Sequence, residues 1–251
     1  MARKVIFATC AALLAVTPLW AATRGVVAEL FTASWCGYCP YADDALGTLA
    51  TEKGIDNFVP IAWHSSSSDP FYTTEAAARL SYYGVTGYPT CVFDGEYRVV
   101  GGSTSTYNNY LSYYDSRRAV PSPLTIEFLS NSYDGTKASV SVEVKLEEAV
   151  AEGHVVHVAI WEDDITSGRL YNYVERVGSS YEPLTATNAN DEQIIKRDFT
   201  LDSGWNKANL GVTVFVQNLV SKAVLQGRAT KLEEGVAVVP TSLGKVKTLF
   251  R

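Results

Sequence analysis

The chain has 251 residues, 47% hydrophobic and 19% charged, with 4 cysteines. That apolar share excludes a mostly disordered chain, and so few cysteines exclude a disulfide-rich scaffold. The formal charge of -6 excludes broad electrostatic capture of nucleic acid, which needs a basic surface.

Residues 1–22 read as a secretory signal peptide. Arg3 and Lys4 precede an apolar run from Val5 to Val16, followed by Pro18 and the small residues Ala21 and Ala22. Cleavage is expected after Ala21 or Ala22. The alternative, an uncleaved anchor, has a short run for a bilayer, which needs about 20 residues. Cys10 lies within the run and leaves with it. Export places the remaining cysteines where disulfides form and persist.

Residues 23–118 mix strand and helix signals. Gly25 to Thr32 reads as a strand, Pro40 to Glu52 as a helix and Phe58 to His64 as a second strand. Asp69 to Tyr83 reads as a helix opened by Asp-Pro, with Pro70 in its first turn. Cys91 to Asp94 and Tyr97 to Val100 form a hairpin around Gly95, and Tyr107 to Arg118 is a closing helix. This order is an α/β pattern. Residues 119–123, Ala-Val-Pro-Ser-Pro, read as a linker.

Beyond it, residues 124–235 alternate like β-sheet. Leu124, Ile126 and Phe128 share one face. Ala138, Val140, Val142, Val144 and Leu146 share another. Further strands are expected over Val155 to Glu162, Gln193 to Leu201, Gly211 to Val220 and Lys222 to Ala229, which together suggest a β-sandwich. Glu162, Asp163 and Asp164 read as a solvated turn. Residues 236–251 form a tail: an extra strand, a disordered end or a docking segment.

The strongest chemical signal is Trp35-Cys36-Gly37-Tyr38-Cys39-Pro40, between a strand and a helix. A thiolate is the nucleophile of disulfide exchange, and a helix N-terminus lowers its pKa. Cys36 is expected at that terminus as the attacking sulfur, with Cys39 one turn on to resolve the mixed disulfide. The alternatives are a structural disulfide or half a zinc site. Zinc is disfavoured, because no second Cys-x-x-Cys follows and the three histidines lack ligand spacing. No metal and no cofactor are expected. His64 reads as a solvated strand end, with a place beside the redox pair as the alternative. The insertion from Asp69 to Tyr83 is a candidate cap. Cys91 reads as a small buried hydrophobe, or else an intermolecular thiol.

About fifty residues after Cys39 comes Gly87-Tyr88-Pro89-Thr90, just before a strand. With the Cys pair, it resembles the thioredoxin superfamily. The resemblance implies a cis-proline at Pro89, facing the cysteines, whose flanking backbone pairs with substrate. It puts Trp35, Tyr38, Tyr88, Pro89 and Thr90 against substrate. It also implies a buried acid six positions before Cys36. That position holds Leu30, with Glu29 one residue earlier. An offset of one reverses the face of a strand, so Glu29 serves Cys39 only if a bulge re-aims it; otherwise it is a strand-edge carboxylate.

His157-Val-Ala-Ile160-Trp-Glu-Asp-Asp164, Asn172-Tyr-Val-Glu-Arg176, Val212-Thr-Val-Phe215-Val-Gln217 and Ala223-Val-Leu-Gln-Gly look like the outer-membrane-protein-28-like family. The likeness covers about residues 25–230. It implies a thioredoxin-like domain followed by an immunoglobulin-like β-sandwich, in an envelope or cell-surface setting. That family is a guide to location more than to activity; the Cys-x-x-Cys pair, the likeness to the thioredoxin superfamily and the export signal together imply an extracytoplasmic thiol–disulfide oxidoreductase. It would act on cysteines of exported proteins, with a redox partner protein, in the periplasm or at the outer membrane or cell surface. Oxidase, reductase and isomerase stay open. The alternative is a non-catalytic envelope protein whose β-domain binds a partner.

Overall fold

The computed structural model describes residues 22–178 and 181–235. The signal peptide with Cys10, and the tail, lie outside the described residues.

Strand β1 (Val26–Thr32) runs into helix α1 (Cys39–Lys53), and β2 (Phe58–His64) pairs parallel beside β1. Helix α2 (Thr74–Tyr83), the hairpin β3 (Thr90–Phe93) and β4 (Tyr97–Val100), and helix α3 (Thr106–Arg118) follow, with β3 antiparallel to β1. Strand alternation sends Val26, Ala28 and Leu30 to one face, where they meet Ala42, Ala45, Leu46 and Leu49 of α1 and Tyr110 and Tyr114 of α3. Phe31 goes to the other face, with Trp63, Ala76 and Tyr83.

Helix α2 starts later than the Asp-Pro signal suggests. Thr73 is the N-cap, its side chain accepting from the Ala76 N–H at 3.0 Å, and Gly84 closes the helix in the left-handed conformation. Pro70 belongs to the turn before it, where the Asp69 carboxylate accepts the Phe71 N–H at 2.9 Å.

The remaining strands are β5 (Leu124–Asp134), β6 (Lys137–Leu146), β7 (His154–Glu162), β8 (Ile165–Ser167), β9 (Arg169–Tyr171), β10 (Val174–Gly178), β11 (Glu182–Pro183), β12 (Glu192–Thr200), β13 (Leu210–Asn218), β14 (Val224–Lys231) and β15 (Glu233–Glu234). One four-stranded sheet has the order β12-β6-β5-β15. Its inward residues Leu124, Ile126, Val140, Val142 and Val144 meet Val158, Ile160, Val212 and Val214 from β7 and β13 in an apolar core. The apolar faces of β5 and β6 expected from alternation are the buried ones, except that Phe128 is only partly buried beside a register shift.

The other layer of this sandwich is continuous with the sheet under the cysteines. The strand order is β14-β13-β7-β10-β2-β1-β3-β4. β10 joins the halves: it is antiparallel to β7 and meets β2 in parallel at Val174 and Ala62, where the Ala62 N–H donates to the Tyr173 carbonyl at 2.8 Å. Val27 and Val59 also pack with Phe215, Val224 and Ala229. Gly227 permits that approach, since a Cβ there would overlap Val27. Between the halves, Ser122 is fully buried and exchanges two backbone hydrogen bonds with Ala22.

Candidate active site

The Cys36–Cys39 pair forms a disulfide, with Cα atoms 5.4 Å apart. Helix α1 begins at Cys39, so Cys36 stands in the turn before the helix rather than at its first residue. Two tight turns set the pair up: the Cys36 N–H donates to the Ala33 carbonyl at 3.1 Å, and the Cys39 N–H to the Cys36 carbonyl at 3.3 Å. Pro40 sits in the first helical turn, where its missing N–H is harmless. The two cysteines differ in access. Cys36 is 9% exposed and Cys39 is sealed at 0%.

Tyr88–Pro89 is a cis peptide bond. The Tyr88 ring meets Trp35 edge-on at 5.9 Å, and its hydroxyl lies 2.9 Å from Ser65 Oγ. Trp35, Cys36, Leu80, Val85 and Tyr88 line an apolar groove of about 420 Å³. Among the described residues, no hydrogen bond engages the backbone N–H or carbonyl of Tyr88. Trp35 and Tyr38 are well exposed beside the pair. Thr90 is buried, and its hydroxyl donates to the Gly87 carbonyl at 2.8 Å, so its side chain is already used.

Sequence reasoning missed the role of Gly101-Gly102. The Gly101 N–H donates to the Pro89 carbonyl at 2.8 Å, and a Cβ at Gly102 would strike the Tyr38 carbonyl. This pair of glycines brings the proline loop and the cysteine loop together. The signal was the Gly-Gly after β4.

Glu29 is neither a strand-edge carboxylate nor a partner of Cys39. It is fully buried in the central strand, on the α2 face. Arg79 grips it with Nε at 2.9 Å and Nη2 at 2.6 Å, Tyr83 donates at 2.6 Å and Trp63 at 3.1 Å. Strand β1 has the regular alternation that sends residue 30, not 29, toward α1.

His64 is also corrected. It is 1% exposed, because Phe71 and Tyr171 pack edge-on at 5.0 and 5.7 Å. Its Nδ1 lies 3.1 Å from Asp69 Oδ1, within ion-pair range but off the hydrogen-bonding direction. The other Asp69 oxygen accepts the Ser34 N–H at 2.5 Å, two residues before Cys36. Burial pushes the Asp69 carboxyl up; His64 and the Ser34 and Phe71 N–H groups outweigh it and hold the pKa at about 2. The insertion thus anchors the cysteine loop through Asp69.

A second acid was also missed. Asp43 lies one helical turn past Cys39 and pairs with Arg169 of β9. Burial raises its pKa and Arg169 opposes the rise. The acidic run in the second half is corrected as well: Glu162 and Asp163 are buried and paired with Arg176 and Lys231, and only Asp164 is solvated.

The strands β2-β1-β3-β4, with β1 and β3 at their centre, flanked by α1 and α3 and carrying a Cys-x-x-Cys disulfide and a cis-proline loop, make a thioredoxin-like domain. The chain joins it to a β-sandwich. No protein-family model matches the chain. Over 76 residues it is 28% identical to "Probable Thioredoxin" of Archaeoglobus fulgidus, covering 30% of this chain and 74% of that protein. The solved structure of HBP35 of Porphyromonas gingivalis shares its fold, with a TM-score of 0.68 at 17% identity over 88% of this chain and 81% of that one. A domain of the outer membrane lipoprotein Omp28 from Porphyromonas gingivalis aligns to 46% of this chain and 92% of its own, at 16% identity and a TM-score of 0.34.

Proposed function

We propose that the protein is an extracytoplasmic thiol–disulfide oxidoreductase whose substrates are cysteines of exported proteins. The observation that carries this reading is the unequal burial of the disulfide: Cys36 opens onto the apolar groove while Cys39 is sealed. A substrate thiolate attacks Cys36 Sγ, the Cys36–Cys39 bond breaks, and Cys39 leaves as a thiolate. A second substrate thiolate then attacks its partner sulfur in the mixed disulfide and frees Cys36. The substrate becomes a disulfide and the pair keeps two electrons, which a redox partner protein removes. The reverse sequence reduces substrate. The unengaged backbone of Tyr88 suits pairing with an extended substrate chain.

The export expected from residues 1–22 supports a periplasmic, outer-membrane or cell-surface setting. We read the β half as an immunoglobulin-like sandwich. Insulin reduction and reactivation of scrambled ribonuclease test the activity, with Cys36→Ser as control. Activity in either assay that Cys36→Ser abolishes is expected. Wild-type activity no higher than the variant's in both would overturn the proposal. So would a reduction potential in the structural range, below about -300 mV.

A further inference from the structure

Helix α1 carries Cys39 at its first residue and Asp43 four residues on. That spacing places both on one face, with Cβ atoms about 5–6 Å apart, and helical side chains lean back over the preceding turn. Asp43 therefore leans toward the turn that holds Cys39. Cys39 is sealed at 0%, and the Asp43 side chain is 14% exposed. Solvent screens such a pair little, so a charge on Asp43 acts on Cys39 more strongly than it would at the surface.

The cation that answers Asp43 comes from the other half of the chain. Arg169 of β9 donates to Asp43 Oδ2 across a separation of 126 residues. A second contact holds Arg169 in place: its guanidinium lies 4.1 Å from the centre of the Tyr171 ring. Tyr171 in turn packs edge-on against Phe71 at 5.0 Å and His64 at 5.7 Å. Burial raises the Asp43 pKa; Arg169, then His64 and Thr32, favour its charged form.

The other titratable groups nearby are exposed, paired or neutral. Asp43 borders an open cleft of about 820 Å³ between α1 and the segment 163–173. Of the other acids on that cleft, Asp44, Glu52 and Asp164 are exposed and screened by solvent, and Asp163 is paired with Lys231. On the inner side, His64 faces Asp69, and burial keeps Tyr110 protonated. The Asp43–Arg169 pair is then the charge that reaches Cys39 along its own helix.

The redox step makes that pair matter. When a thiolate attacks Cys36 Sγ, a new S–S bond forms, the Cys36–Cys39 bond breaks, and its electron pair leaves on Cys39 Sγ. Negative charge thus appears in a sealed place. A lone carboxylate one turn away opposes it, and a carboxylate matched by a guanidinium does not. We propose that Arg169 of the β half is a positioning residue for the redox pair: by neutralising Asp43 it lets negative charge form on Cys39. The use of this charge rests on the redox reading above, but the acidity of Cys39 is measured without any substrate.

The test follows the Cys39 Cβ resonance by NMR in the full chain, isotope-labelled at cysteine, between about pH 5 and pH 11. All proteins carry Cys36→Ser, so that Cys39 titrates without a coupled neighbour. The Cys39 resonance is the one lost on Cys39→Ser. Asp43→Asn leaves Arg169 without its counter-charge. It is expected to lower the Cys39 midpoint by about one pH unit, tenfold in thiolate at neutral pH. Arg169→Met leaves Asp43 alone and is expected to raise the midpoint by a similar amount. The double variant removes both charges and is expected to fall between the two. A loss of packing alone would move the single variants the same way, and circular dichroism reports folding. An Asp43→Asn midpoint equal to or above that of the parent overturns the proposal. So does an Arg169→Met midpoint equal to or below it. If Arg169→Met does not fold, the isosteric Asp43→Asn decides. Opposite shifts in a chain inactive toward insulin and scrambled ribonuclease would uphold the charge coupling and overturn only the redox reading.

Discussion

Asp69 connects a buried histidine to the loop of the reactive cysteines. Its carboxyl pKa falls from 3.8 to about 2 in the fold. A depressed carboxyl stabilises the fold above its unfolded pKa, and that contribution disappears as pH falls through about 2. At neutral pH it amounts to about 2 kcal/mol. Asp69→Ala is expected to lower stability by at least that amount at pH 7 in urea titrations. The gap to wild type narrows by about 1 kcal/mol at pH 3. A gap independent of pH would show that the charge is irrelevant. Ser34 loses its acceptor in the same variant, so Cys36 reactivity is expected to change with it.

Cys91 makes a contrast with Cys36. It is fully buried, and burial pushes its thiol pKa up. After mild reduction of the folded protein, iodoacetamide at pH 7.5 (roughly a unit below an unperturbed thiol) is expected to label Cys36 first. Labelling of Cys91 waits for unfolding. Mass spectrometry of the digested chain distinguishes them, and prompt labelling of Cys91 would contradict its burial. The residue type and spacing made the redox pair legible. The roles of Glu29, Asp43 and Asp69 were not, because they depend on Arg79, Arg169 and Ser34, dozens of residues away, and the His64–Asp69 approach depends on how the short loop between them folds back.

At the scale of elements, periodicity located the three helices and most long strands. The short strands β8 to β11 carried too little pattern to be read, and β10 is one of them. Capping settled the start of α2: Thr73 accepts from the Ala76 N–H and also donates to Glu175 Oε2 at 2.5 Å. Thr73→Ala is expected to cost about 1–2 kcal/mol, more than a surface cap of the same kind. Chemical denaturation measures this, and a loss below about 0.5 kcal/mol would show that neither bond matters. The Arg79–Glu29 pair binds α2 to the central strand. Arg79→Met leaves Glu29 uncompensated and is expected to cost about 3–5 kcal/mol, whereas Arg79→Met with Glu29→Gln recovers part of it. No recovery in the double variant would refute the charge argument.

At the scale of the molecule, the decisive feature is the sheet that passes through both halves. Val174 meets Ala62, and residues from β1 and β2 share a core with β13 and β14. Unfolding one half exposes the edge of β2 and the face of Val27 and Val59. Calorimetry is therefore expected to give one cooperative transition for the full chain, with calorimetric and van't Hoff enthalpies equal. Two resolved transitions would show that the shared sheet does not couple the halves.

By itself the sequence determined the α/β order of residues 23–118, the alternating strands after residue 124 and the Cys-x-x-Cys chemistry. These are local properties, set by side-chain period and by spacing within one turn. Only the tertiary structure decided the joint at β10, the sealing of Cys39 beside an accessible Cys36, and the Arg79, Tyr83 and Trp63 partners that bury Glu29. Those depend on packing between segments up to about two hundred residues apart, as between Gly25 and Gly227. No short-range pattern encodes which distant surface a strand will meet.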